Sequence, residues 1–163
     1  QDISHEGFAK KGQVFVIKLN FEGKENHFLI SKTDVEENPT ALAIHPNGNW
    51  MVVTNMKKAF QFPYNVKLTN KSSVSILNFN PEDGNIINQL NAPIESILPS
   101  NVVFDKTGHN LAIANFGYLM LGKNLGGIDF YKFNINNQQK IEKQPIGIFL
   151  NIGVHFLKVI EDF

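Results

Sequence analysis

Two stretches of the chain, HPNGNWMVVTN from His45 to Asn55 and DKTGHNLAIAN from Asp105 to Asn115, share a pattern while sharing few letters. Each sets a glycine in a turn, then runs through apolar residues to an asparagine. The match is ungapped over a wider span: Pro39 to Asn55 overlays Pro99 to Asn115 at a shift of 60 positions (39 to 99). Proline, turn glycine and final asparagine coincide, and apolar positions coincide nearly everywhere else. Upstream, Val14–Asn20 overlays Val74–Asn80 at the same shift, and Ile128–Asn134 repeats it 54 positions further on (74 to 128). Self-similarity at a fixed period marks a repeat architecture, in which one supersecondary unit is written several times.

Each unit predicts four short strands. The first covers Leu42–Ile44 and Val102–Phe104, and the second Trp50–Thr54 and Leu111–Ala114. The third is the run VFVIKLN, VSILNFN or IDFYKFN, and the fourth lies around His27–Ile30, Ile86–Leu90 and Gln139–Lys143. Short, near-continuous apolar runs bounded by turn residues suit strands buried on both faces. In His45-Pro46-Asn47-Gly48 the proline presets the turn and the glycine supplies a left-handed residue; Asp105-Lys106-Thr107-Gly108 does the same with an aspartate first. Asn80-Pro81-Glu82-Asp83-Gly84 predicts a further hairpin between strands three and four. Four-stranded units in series predict an all-β chain of β-propeller blades, one segment over 1–163 with repeat units at approximately 12–55, 72–115 and 126–163. The last unit is degenerate. There Pro145–Leu150 reads as a worn copy of Pro39–Ile44, with Gly153 in the place of Gly48.

The pattern P-[TS]-x-h-x-h-x-x-x-G, followed by Met51-Val52-Val53-Thr54-Asn55 or Leu111-Ala112-Ile113-Ala114-Asn115, resembles the repeat of the YVTN and lactonase-type β-propellers. Asp105–Gly117 followed by Gly127–Tyr131 is the nearest part, and the resemblance spans about residues 12–145. It implies the fold, and as an activity it implies lactone hydrolysis of the 6-phosphogluconolactonase-like kind.

Strands in an antiparallel blade alternate direction, so the connections sort onto two ends. The tight turns HPNG, DKTG and NPEDG share one end. The other receives the connections expected to be long: Met56–Ser73, Phe116–Gly127 and the stretches entering Pro39 and Pro99. Long loops on a rigid scaffold commonly carry function, so the ligand-face candidates are Thr40, Asn55, Tyr64, Ser100, Asn101, Asn115, Tyr118 and Lys123. Phe60, Phe62 and Phe116 accompany them. His45, Asp105 and His109 fall at the tight-turn end, where a structural role accounts for them. No catalytic constellation emerges: there is no G-x-S-x-G elbow, no H-E-x-x-H pair, no calcium loop and no phosphate loop. No cofactor and no metal are expected.

Composition narrows the partners. Fifteen basic residues balance fifteen acidic ones, giving no field for nucleic acid. All the basic residues are lysine, which removes the bidentate guanidinium fork. No apolar run approaches the ~20 residues that span a bilayer. The absence of cysteine is compatible with a cytoplasmic or a secreted or periplasmic location. Propellers close with about four to eight blades, more than this chain holds. It is therefore expected to be a segment of a longer propeller or a ring-forming homo-oligomer. The expected function is a binding module that engages a protein or a small sugar-like ligand. The alternative is a lactone hydrolase whose site is completed by other blades.

Overall fold

The computed structural model describes residues 11–20, 23, 26–57, 72–96, 98–120, 123–136, 141–150 and 153–160, with backbone alone at 117–120 and 123–125. It is all-β, with no α-helix among the described residues. Ten strands follow in order: β1 (Lys11–Lys18), β2 (Phe28–Glu37), β3 (Pro39–Ile44), β4 (Trp50–Asn55), β5 (Ser72–Phe79), β6 (Ile86–Ile94), β7 (Pro99–Phe104), β8 (Asn110–Met120), β9 (Lys123–Phe133) and β10 (Ile141–Leu150). They make three antiparallel sheets: β1-β2, then β3-β4-β5-β6, then β7-β8-β9-β10. Spatial order follows chain order within each sheet.

The sequence repeat is a repeat of register. Leu42 pairs Val53 and Val102 pairs Ile113, and both inner strands bulge at the same point, between Pro39 and Ala41 and between Pro99 and Asn101. Alternation along each strand then sends successive side chains to opposite faces. Met51, Val53 and Leu77 face the first sheet and close a core with Val35, Val14 and Val16. Val52, Val74 and Ile76 face the third sheet and pack against Leu111, Ile113, Tyr131 and Phe133. Apolar residues on both faces of the second sheet explain why its strands read as continuous hydrophobic runs.

The turns behave as their residues dictate. Gly48 and Gly108 adopt φ of 78° and 73°, and each donates its N–H to the carbonyl of the first turn residue, His45 or Asp105. Asp105 also accepts from Asn110 and Thr107. Slight burial opposes ionisation, but these bonds outweigh it and hold the carboxyl below the ordinary aspartate range.

Three expectations need correction. The stretches entering Pro39 and Pro99 are strand: Asn38 alone, at φ 54°, links β2 to β3, and only residues 95–98 separate β6 from β7. Phe116–Gly127 is no loop either. β8 and β9 continue as a hairpin to Met120 and Lys123, past a bulge between Asn115 and Tyr118. Gly117 falls in that bulge, and Gly126 and Gly127 take ladder positions of β9. Lastly, Pro145–Leu150 belongs to β10. Lys143 pairs Tyr131 and Gly147 pairs Asp129, so residues 144–146 bulge opposite Phe130. Pro145 has no N–H to give to a ladder, which places it at a bulge. The carbonyl contact made by Pro99 is repeated later, at Val154. Gly153 has no positive φ, and a Cβ there would strike the Phe116 ring.

Candidate functional site

Thr40 opens β3 on the bulge, and Ser100 occupies the same place in β7. The Thr40 hydroxyl donates to the Pro99 carbonyl at 2.6 Å and lies 2.9 Å from the Thr54 hydroxyl. A hydroxyl has one proton, so the short bond to Pro99 takes it and Thr54 donates to Thr40. Ser100 repeats this one step on, bonding the Val154 carbonyl. The two hydroxyls therefore staple β3 to β7, and β7 to the segment 153–160. Replacing Thr40 by Val keeps the shape and strands the Pro99 carbonyl. The expected loss is about 0.5–1.5 kcal/mol in urea unfolding, the usual net worth of such a bond, which here is part-buried.

Asn55 ends β4, and Asn115 holds the equivalent place inside β8, just before its bulge; both are fully buried. The Asn55 amide donates to Ser75 Oγ at 2.9 Å, and Ser75 donates to Asn91 Oδ1 at 2.6 Å. Register makes Asp129 the counterpart of Ser75, since Val53 pairs Ser75 and Ile113 pairs Asp129. The Asn115 amide accordingly donates to Asp129 Oδ2 at 3.1 Å, and Lys143 Nζ lies 3.3 Å from Asp129 Oδ1. One network is neutral and its repeat is charged. Asp129 is 3% exposed, whereas Lys143 reaches solvent and the Glu95 carboxylate at 3.8 Å. Glu95 itself is largely exposed.

Tyr131, two residues along β9 and buried, has its phenol pushed well above the ordinary tyrosine range by burial, then by the Asp129 and Glu95 carboxylates. The unfolded phenol ionises near ~10 and the folded one stays protonated there, so the unfolded state binds fewer protons above that pH. Stability contributed by Tyr131 is complete below pH ~10 and is lost as pH rises further. Tyr131→Phe should flatten the alkaline fall in melting temperature; an unchanged alkaline limb would contradict this.

The other candidates divide. Asn101 is half-buried on β7, and its Oδ1 accepts no hydrogen bond among the described residues. Tyr118 pairs Leu125 and Lys123 pairs Met120 in the projecting hairpin. Tyr64, with Phe60 and Phe62, lies outside the described residues. Phe116 packs its ring on His155 with centroids 4.5 Å apart. Thr40, Asn55, Ser100 and Asn115 thus come to one end of the sheets, with the two hydroxyls and the two amide N–H groups bonded within the scaffold, while Asn55 Oδ1 accepts no bond among the described residues.

Sequence reasoning missed the ionisable cluster. Its signal was Asp129, a carboxylate where the equivalent runs have Phe15 and Ser75. His45 was expected to be structural, and it is a clamp between turns. Its Nδ1 accepts from the Asn47 N–H at 3.1 Å, so Nε2 carries the hydrogen and donates to the Gly108 carbonyl at 3.2 Å. Its ring packs against Phe104 and Phe133. A shallow cavity of about 360 Å³ opens beside Leu42, Ile44, Val103, Asp105, Lys106 and Leu157, away from the candidate residues. No three His, Asp or Glu residues lie close enough to hold a metal ion among the described residues, and no long apolar helix exists there to cross a membrane. No protein-family model matches the chain, and no curated protein matches it significantly.

Proposed function

We propose that the chain is a run of β-propeller blades of the YVTN and lactonase type that serves as a binding module. In this reading a protein or a small sugar-like ligand is engaged at the end carrying the 56–71 connection and the β8–β9 hairpin. The propeller part is supported by stacked four-stranded antiparallel sheets repeating in register, with β3 beside β7. The same staple is written twice, from Thr40 to Pro99 and from Ser100 to Val154.

The observation that carries binding over catalysis is the fate of the polar candidates. Thr40, Asn55 and Ser100 bond within the scaffold, and the nearest ionisable cluster keeps its carboxylate, Asp129, out of solvent. A general base has to reach the proton it takes from water. The β8–β9 hairpin remains as a recognition surface on the sheets beneath it.

The test is binding to an array of immobilised oligosaccharides and purified proteins. A ligand retained by the parent chain should be lost on Tyr64→Ala and Tyr118→Ala together, with unchanged circular dichroism. Undiminished retention by that double variant would remove this end as the binding surface.

A further inference from the structure

We propose that copies of this chain associate head to tail, the outer face of the third sheet in one copy stacking on the outer face of the first sheet in the next. This goes beyond what the long connections bind, and it rests on the propeller reading only for ring closure. The same stacking contact is already made twice within one chain. Register makes Val14 and Val16 equivalent to Val74 and Ile76, and to Ile128 and Phe130. Val14 and Val16 pack forward onto the second sheet, and Val74 and Ile76 pack forward onto the third. Ile128 and Phe130 point the same way from the third sheet, together with Ile148, which pairs Ile128. No described sheet receives them.

The complementary surface stands at the other end of the stack. Leu77 and Tyr131 face backward into the two cores, and their counterpart in the first sheet is Ile17, two residues after Phe15. Phe15 and Ile17 are 50% and 53% exposed, beside the half-exposed Leu29 that pairs Ile17. At position 15 the sequence writes Phe where the covered sheets carry Ser75 and Asp129, so the β1 part of this backward face is more apolar than its internal equivalents, with Lys32 and Asp34 of β2 beside it. Isolated apolar residues on a surface are ordinary, but two contiguous faces matching by repeat symmetry mark an interface.

The inner edges fit as well. Leu42 and Ile44 of β3 are exposed, lining the shallow cavity together with Leu157 and Val159. Val154 occupies on β7 the place that Pro99 occupies on β3. The segment from Val154 onward thus stands where the inner strand of a further sheet would stand, with Phe156 exposed. In a head-to-tail pair that segment falls on the inner side of the next copy's first sheet. Such a contact is heterologous, so it propagates until rotation closes it. Two copies would supply six sheets and three copies nine, against the roughly four to eight of a closed propeller.

Light scattering on the full chain, with two single-face variants, tests the contact. Phe15→Lys blocks only the first-sheet face and Ile148→Lys only the third-sheet face, both at exposed side chains. The parent chain should give a discrete multiple of 18.4 kDa, and each variant alone should run as a monomer. Mixed in equal amounts, the variants should give a dimer, because each retains the face its partner needs. If Phe15→Lys loses its β-sheet circular dichroism, Ile17→Glu replaces it. A monomeric parent, an assembled single variant or a monomeric mixture overturns the proposal. A monomeric parent that still binds its array ligand would sink the association and leave the binding function standing.

Discussion

Gly108→Ala is expected to lower the free energy of unfolding by about 3–5 kcal/mol, several times the cost of the same change at Gly48. Both glycines have positive φ, and an L-residue there costs about 1–2 kcal/mol. Around Gly48 a new Cβ meets nothing within 4 Å, so strain is the whole effect. At Gly108 the new Cβ would fall 2.0 Å from His45 Nε2 and 2.5 Å from Cε1. His45 cannot step aside cheaply, since both ring nitrogens are bonded and the ring lies 5.0 Å from Phe104 and 5.5 Å from Phe133. Overpacking of that kind adds about 1–3 kcal/mol, and the lost bond to the Gly108 carbonyl adds more. Urea unfolding of the two variants side by side measures the difference. Equal losses would mean that His45 does not clamp the two turns together.

Lys143→Met is the second large effect, with an expected loss of about 2–3 kcal/mol. Removing one member of a buried pair leaves an uncompensated charge at a cost of about 3–5 kcal/mol. Lys143 is 40% exposed, so the figure here lies below that range. The Asp129 carboxylate stays buried with the Asn115 amide after its cation is gone. Adding Asp129→Asn removes the stranded charge, and the double variant should recover at least half of the loss. The double-mutant cycle reads this coupling directly. Additive losses would show that Asp129 does not depend on Lys143.

Much of the fold was legible because its strongest signals are local. A proline, a turn glycine and a terminal asparagine recur at one spacing, and apolar runs between them can pack only as strands with two covered faces. The third strands were found at Val14, Val74 and Ile128, and those residues fall in β1, β5 and β9. What escaped was where strands stop. Phe116–Gly127 was expected to be a long connection, yet the ladder carries β8 to Met120 and resumes with β9 at Lys123, because a bulge between Asn115 and Tyr118 takes up the mismatch. Pro145 resembled Pro39 in its neighbours but not in its partners, and only the ladder to β9 distinguishes the two.

The candidate residues were legible as a set and misleading in role. Their common position at one end of the sheets follows from strand direction, which the turns reveal. Their hydrogen bonds do not follow, because those depend on which carbonyl the neighbouring sheet presents. Thr40 finds Pro99, 59 residues away, and Asn115 finds a carboxylate where Asn55 finds a hydroxyl. The charged network around Asp129 could be suspected only from one acid in an apolar run.

The rate at which the purified, folded chain hydrolyses a panel of sugar lactones tests the binding role most directly. A scaffold whose candidate hydroxyls bond its own backbone and whose Asp129 carboxylate is buried should leave every lactone at the buffer rate. A rate above buffer that disappears on Asp129→Asn, with β-sheet circular dichroism intact, would contradict it and make the Asn115–Asp129–Lys143 cluster a working hydrolytic site.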